Sequence, residues 1–285
     1  MSLILSTYKV DVILHFAAQT HVDNSFGDSF EFTKNNILGT HVLLESVRCQ
    51  APNLVRFIHV STDEVYGEVF ASDPACKEES IMAPTNPYAA TKAAAECLVM
   101  AYHKSFNLPT IITRSNNVYG PYQYPEKACS KFICQLWRDD PIYIHGDGSN
   151  SRRYLYAADV ANAIDIILHR GQVGETYNIG THFEITNLEL ATYLVRRFAF
   201  MRARDPALEL PRVIRHVEDR AFNDRRYEVD FGKLKKLGWT PRMSFEKGIS
   251  KTIWWYGRYG ETWWGDITSA LVPHPGKQFP TTATP

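Results

Sequence analysis

Short apolar runs alternate along this chain with longer segments whose apolar residues recur at helical spacing. Val10–Phe16, Phe57–Val60, Pro109–Arg114 and Val173–Gly180 read as strands, the first three as buried ones. Met1–Tyr8 reads as the last turns of a helix. Phe30–Arg48 reads as a full helix with Leu38, Val42 and Leu43 on its core face, and with Asn35 and Asn36 as polar contacts to neighbouring loops. Further helices are predicted from Pro87 through Met100, over Leu188–Phe198 and over Phe231–Leu237. These strands are read as members of an open parallel sheet.

In such a sheet, chemistry collects just outside the carboxyl ends of the strands. The run Phe57–Val60 ends in Ser61-Thr62-Asp63-Glu64. A hydroxyl and two acids there form a candidate proton-handling set, although the same residues also serve as turn and cap residues. Downstream, Thr85 or Asn86 can cap a helix whose first turn begins with Pro87. Tyr88 and Lys92 are four apart and project from one face of it. An ammonium near a phenol favours the phenolate, so Lys92 is expected to lower the Tyr88 pKa and make it a general base. The strand at 109–114 ends in Ser115-Asn116-Asn117, another carboxyl-end loop. Lys77-Glu78-Glu79, in the loop 68–83, reads as solvated surface.

Taken together these motifs resemble the extended short-chain dehydrogenases/reductases, and within them the nucleoside-diphosphate-glucose 4,6-dehydratases. The resemblance rests on LHFAAQTHVDNSF at 14–26, VSTDEVYGE at 60–68, TNPYAATKAAAE at 85–96 and TRSNNVYGPYQYPEK at 113–127. It continues through IHGDGSNSRRYLYAADV at 144–160, YNIGT at 177–181 and DRAFNDRRY at 219–227. The Thr62-Asp63-Glu64 triplet discriminates most, because sugar-nucleotide epimerases of the superfamily usually keep the Tyr and Lys without the acid pair.

The resemblance implies an NAD(P)-binding Rossmann-like doubly wound parallel sheet over residues 1–121. A smaller α/β substrate domain would occupy mainly 122–285, with some segments returning to the sheet. It also implies a glycine-rich strand-turn-helix ahead of the first strand, in about 70 residues that this chain does not contain, so the sheet is read as amino-terminally truncated. The implied catalytic set is Thr62, Asp63, Glu64, Tyr88 and Lys92. NAD would be held by Ala17, Ala18, Thr20, Ser61, Tyr88, Lys92 and Asn116. The nucleotide sugar would be held by His21, Asp23, Asn117, Lys127, Arg152, Asn178, Arg220 and Arg225, whose guanidinium forks suit phosphate oxygens. The implied reaction is a redox-neutral dehydration of a nucleoside-diphosphate-glucose to the 4-keto-6-deoxy sugar. The segment from Trp263 to Pro275, with IHGDGSN and LKKLGW, resembles the UDP-glucose dehydratases of rhamnose synthesis, so UDP-glucose is expected ahead of dTDP-glucose. A homodimer paired through a bundle that includes the Tyr88 helix is implied as well. The alternatives are a related epimerase or decarboxylase, and a sugar-nucleotide-binding fragment that holds no NAD.

Composition narrows the partners. Lysine plus arginine equal aspartate plus glutamate at 31 each, which favours neither nucleic acid nor a membrane surface. No apolar run approaches a membrane span, and MSLILSTYK is not shaped like a secretory signal. The five cysteines include no CxxC pair, so reduced thiols in a cytoplasmic protein without a metal site are expected. The aromatic segments Ile253–Tyr256 and Trp263-Trp264 are expected to anchor the last helix on the core. The Pro/Thr-rich tail after Pro273 is expected to fray.

Overall fold

Alternate residues of the apolar runs serve opposite faces of one parallel sheet, which explains why the runs are continuous. The computed structural model describes residues 2–219 and 222–272. Helix α1 (Ser2–Tyr8) leads into β1 (Val12–His15), then α2 (Val22–Gly27), α3 (Ser29–Phe32) and, after a π-helical turn at Thr33–Leu38, α4 (Gly39–Gln50). Strand β2 (Arg56–Thr62), a 3₁₀ turn at Asp63–Tyr66, the long α5 (Pro87–Phe106), β3 (Thr110–Ser115) and β4 (Asn117–Tyr119) come after it. Next are α6 (Ala128–Trp137), β5 (Ile142–His145), β6 (Ser151–Tyr156), α7 (Ala157–Arg170), β7 (Thr176–Ile179) and β8 (Glu184–Thr186). The described chain closes with α8 (Asn187–Met201), α9 (Pro206–Val213), β9 (Ile214–Val217), α10 (Gly232–Lys236), α11 (Phe245–Trp264) and α12 (Thr268–Leu271).

The main sheet has the order β1-β2-β3-β7, all parallel, with Phe57 opposite Ile13 and Thr110. Phe57 and Ile112 point to the face covered by α1, α4 and α5, among Leu44, Val47 and Val99. Their neighbours Ile58 and Ile111 point to the opposite face, into Ile164, Ile167, Leu234 and Trp239 of the α7 and α10 side. Burying aliphatic surface on both faces stabilises the sheet by roughly 25 cal/mol per Å². A second core, around Phe132, Leu194, Phe198, Phe245 and Trp255, gathers α6, α8 and α11. Beside it lie a three-stranded sheet β4-β6-β8 and the parallel pair β5-β9. Strand β7 thus carries a late segment of the chain back into the first sheet.

Four sequence expectations change. Strand β1 lies at the edge of the described sheet with a single neighbour, so only His15 is buried and Leu14 is 40% exposed. The expected helix over Phe30–Arg48 is interrupted by the π turn, and the wider turn offsets the side-chain register of α4 after it. Leu38 and Val42 are therefore exposed, and Leu43, Leu44 and Val47 form the core face. Glu78 is half-buried: its Oε1 accepts from the Asn178 backbone N–H at 3.0 Å, and its carbonyl accepts from Arg114. On α11, Ile253, Trp255 and Tyr256 anchor the helix as expected, whereas Trp254 and Trp263 face outward. The tail from 273 onward lies outside the described residues.

Gly67 ends the 3₁₀ turn at φ +77°, where a Cβ would stand 2.2 Å from the Ala83 carbonyl oxygen. Only glycine fits that conformation and that approach. Gly67→Ala is expected to lower the thermal midpoint by more than a surface substitution, checked by melting followed with circular dichroism.

Candidate active site

Strand β2 delivers Ser61 and Thr62 to its carboxyl end, and the tight turn after it places Asp63 and Glu64 over the same edge. Thr62 is extended and caps that turn, its Oγ1 accepting the Glu64 N–H at 3.3 Å. Helix α5 begins where the sequence predicts: Asn86 is the cap, its Oδ1 accepting the Ala89 N–H at 2.8 Å, with Pro87 in the first turn. The cap has a second task, because Asn86 Nδ2 donates to Glu64 Oε2 at 3.3 Å. Tyr88 and Lys92 share one face of α5, and both are buried.

These groups open on a cleft of about 370 Å³ at the carboxyl ends of β2 and β3. Ala18, Thr20, His21, Asp23, Ser61, Thr62, Asp63, Glu64, Tyr88, Lys92, Asn116, Asn117, Lys127 and Arg152 all line it. Three expected ligands do not. Ala17 is exposed outside the lining. Asn178 is fully buried and structural, donating to the carbonyls of Cys76 and Asp230 and accepting from the Tyr66 hydroxyl. Arg225 is exposed and outside the lining, with its backbone bonded to Ser151 and Glu68. Arg220 lies outside the described residues. Lys127 also donates to the Thr20 carbonyl, tying the loop before α6 to the loop after β1.

Burial separates the protonation behaviour of the two acids from that of ordinary carboxylates. Asp63 is pushed up to about 7, chiefly by loss of solvent and then by the charge of Glu64. A 2.7 Å hydrogen bond from Asn116 Nδ2 and the Arg152 charge oppose the rise. Glu64 is also raised by burial, against the pull of Arg152 and Lys127 and the Asn86 hydrogen bond. Both acids therefore hold a proton more readily than ordinary carboxylates, Asp63 near neutral pH. The expected lowering of the Tyr88 phenol is not what the structure shows. Burial raises it, Glu64 and Asp63 add to the rise, and a hydrogen bond with Thr62 is the opposing influence. Lys92 Nζ donates to the Val60 carbonyl at 2.7 Å, and burial lowers its pKa to about 8, opposed by Glu96.

Sequence reasoning passed over Asp224 and Tyr227. Both line the cleft, and Asp224 accepts from Thr85 Oγ1 at 2.7 Å. They sit in the DRAFNDRRY motif at 219–227, in which the arginines are the residues whose charge suits a diphosphate and the acid and phenol carry no such local signal.

A parallel sheet, an acid pair after its second strand and a Tyr-Lys helix in one cleft make a specific constellation, and the chain is similar to known proteins over most of its length. The sequence profile of the GDP-mannose 4,6 dehydratase family matches residues 1–252. This chain is a member of that family. It is similar to a trifunctional UDP-glucose 4,6-dehydratase/UDP-4-keto-6-deoxy-D-glucose 3,5-epimerase/UDP-4-keto-L-rhamnose-reductase of Arabidopsis thaliana, 54% identical over 95% of this chain and 39% of that protein. It is also similar to the dTDP-D-glucose 4,6-dehydratase of Homo sapiens, 45% identical over 96% of this chain and 76% of that one. Among solved structures, the dTDP-glucose 4,6-dehydratase of Streptomyces venezuelae with NAD bound superposes with a TM-score of 0.83 and 36% identity, covering 93% of this chain and 79% of that one. The chain thus spans about two fifths of the length of the Arabidopsis relative.

As a family member the chain can be tested for fit to NAD from its own side chains. Ser61 Oγ is buried with no hydrogen-bond partner among the described residues, and Ser61 lines the cleft beside Lys92 and Asn116. An orphaned hydroxyl there is available to a polar guest. The lining of Ala18, Ser61, Tyr88, Lys92 and Asn116 fits a nicotinamide. Among the described residues there is no cluster of His, Cys, Asp or Glu that could hold a metal, and no helix long and apolar enough to cross a membrane. The described cysteines are all free.

Proposed function

We propose that this chain carries out the NAD-dependent dehydration of a nucleoside-diphosphate-glucose to its 4-keto-6-deoxy sugar. The observation that carries the reading is the Asp63–Glu64 pair beside Tyr88 in one cleft, with Asp63 able to hold a proton near pH 7. NAD, when bound, would supply a reversible hydride acceptor, for the hydrogen of carbon 4 and then for delivery to carbon 6. Tyr88, hydrogen-bonded to Thr62 and with Lys92 one helical turn further along α5, takes the proton from the 4-hydroxyl, the Thr62 hydrogen bond being what favours its phenolate. The resulting ketone acidifies the hydrogen on carbon 5, which Glu64 removes. Asp63 gives its proton to the departing 6-hydroxyl, which leaves as water; when carbon 6 is reduced Glu64 returns its proton to carbon 5, and exchange with solvent restores the Asp63 proton and removes the one held by Tyr88. Ala18, Thr20, Ser61 and Asn116 hold the cofactor. Asn117, Lys127 and Arg152, with His21 and Asp23, hold the nucleotide sugar, so residues on both sides of the boundary near 121 contribute to it.

UDP-glucose is placed ahead of dTDP-glucose because the Arabidopsis relative is 54% identical and the human dTDP-glucose enzyme 45%. An epimerase would need no acid pair for elimination. The test is incubation of the purified chain, alone and with a glycine-rich amino-terminal segment added, with NAD and either sugar nucleotide. Formation of the 4-keto-6-deoxy product is expected, faster from UDP-glucose; no product from either protein with either substrate retires the reading. The enzyme is placed in the cytoplasm, as a homodimer whose second copy covers the outer surface of α4 and α5, where Val42, Met100 and Phe106 are exposed. A monomer mass in sedimentation equilibrium overturns the dimer.

The sign of the pH dependence comes from Asp63. The acid role needs its protonated form, so turnover falls as pH rises through about 7. Asn116 donates to the Asp63 carboxylate and favours the charged form. Asn116→Ala is therefore expected to move the descending limb to higher pH, measured from kcat against pH. A limb that stays in place or moves down removes Asp63 from the acid role.

A further inference from the structure

The catalytic turn is met from the far end of the chain. The Tyr227 hydroxyl lies 2.5 Å from Asp224 Oδ2 and 3.5 Å from Glu64 Oε2. Asp224 also accepts from Thr85 Oγ1 and is buried, as is Tyr227. Arg152 holds the phenol in place, with its guanidinium 4.7 Å from the ring centroid and a 2.9 Å bond to the Asp224 carbonyl.

A phenol has one hydrogen to give. The shorter and charge-assisted contact takes it, so Tyr227 donates to Asp224 and turns an oxygen lone pair toward Glu64. We propose that Tyr227, locked in this orientation by Asp224, is a positioning residue that makes Glu64 a stronger base by accepting a hydrogen bond from its protonated form. This rests on the dehydratase reading, in which Glu64 takes the proton from carbon 5. The negative end of the phenol dipole faces the carboxylate before transfer and receives the new O–H after it. Asn86 Nδ2, on the same Glu64 oxygen, pulls the other way. The remaining charged and titratable groups that act on Glu64 and its surroundings are Asp63 in the same turn, Tyr88 on α5, Lys127 before α6, Arg152 on β6 and Asp224. Of these, Asp224 acts in the same direction as the Tyr227 lone pair, and Arg152 and Lys127 oppose it.

The test reads Glu64 directly, by carbon-13 NMR titration of glutamate carboxyls in the protein without substrate, the Glu64 signal being the one lost in Glu64→Gln. In Tyr227→Phe the ring and its Arg152 contact remain and only the hydroxyl goes. The Glu64 pKa is expected to fall by about one unit, the equivalent of one ordinary hydrogen bond. Asp224→Asn, which frees the phenol proton to turn toward Glu64, is expected to shift it the same way. In turnover, Tyr227→Phe is expected to slow elimination about tenfold more than carbon-4 oxidation, and to move the acid limb of kcat to lower pH. A Glu64 pKa that rises or stays unchanged in Tyr227→Phe overturns the proposal, because a phenol that donated to Glu64 would give the rise. A wild-type protein that formed no 4-keto sugar would retire the dehydratase reading alone, since the titration needs no turnover.

Discussion

Replacing Glu64 with glutamine is expected to stop the reaction halfway, with the sugar oxidised and nothing eliminated. The amide matches the carboxylate in volume and can still accept from Asn86, whose Nδ2 lies 3.3 Å from the native oxygen. What it cannot do is take a proton. Removal of a positioned general base costs about 100- to 10,000-fold in the step it serves. Tyr88, Thr62 and Lys92 stand on separate contacts, Lys92 on the Val60 carbonyl and Tyr88 on Thr62, so carbon-4 oxidation keeps its machinery. The hydride then has no carbon 6 acceptor. Reduced nicotinamide should accumulate to one equivalent per site, seen by its absorbance, while the 4-keto-6-deoxy product disappears. Full turnover by this variant would remove Glu64 from the base role and leave the acid pair without its division of labour.

How far the sequence reaches depends on whether a feature is local. The strand Phe57–Val60, the Asn86 cap and the Tyr88–Lys92 spacing are local, and each is where its residues predict. The contacts of Asp224 and Tyr227 are not: they close onto Thr85 and Glu64 across 139 and 163 residues. Nothing in the spacing of a motif says which distant turn it will meet. The same limit explains Asn178, which sits in a motif near the site yet is consumed by the Cys76 and Asp230 carbonyls. Titration is a further case. The Tyr88–Lys92 spacing shows a cation within reach of a phenol, but not how much water the fold removes, and dehydration decides the direction. The π turn at Thr33–Leu38 is hidden for a related reason, since its residues suit an α-helix as well. Its position is set by Asn36, buried between the Gln19 backbone and Thr91.

Thr91 and Asn36 pin one end of α5; a buried ion pair pins its middle, and breaking it is expected to cost more stability than any other single change around the site. Arg114 at the end of β3 donates to Glu96 from Nε and Nη2, the shortest contact being 2.6 Å, and neither side chain is more than 4% exposed. Its Nη1 continues to the Tyr66 hydroxyl at 2.7 Å and the Glu78 carbonyl at 3.1 Å. Tyr66 belongs to the turn that carries Asp63 and Glu64, so one guanidinium joins the sheet, the Tyr88 helix and the acid turn. Glu96→Gln leaves that cation buried without its counter-charge, at a cost of about 3–5 kcal/mol. Replacing both partners with methionine removes the uncompensated charge, and it is expected to recover much of the loss in a denaturant titration. A function test accompanies the stability test. Glu96 is one helical turn beyond Lys92 and holds its pKa up, to about 8, against burial. Without it Lys92 loses its proton at lower pH, so the ammonium that the proposed mechanism places beside Tyr88 is depleted near neutrality, and on that mechanism activity should survive only toward the acid side. A Glu96→Gln protein as stable as the parent, with an unmoved pH profile, would show that the sheet and the catalytic helix are held together by apolar packing alone.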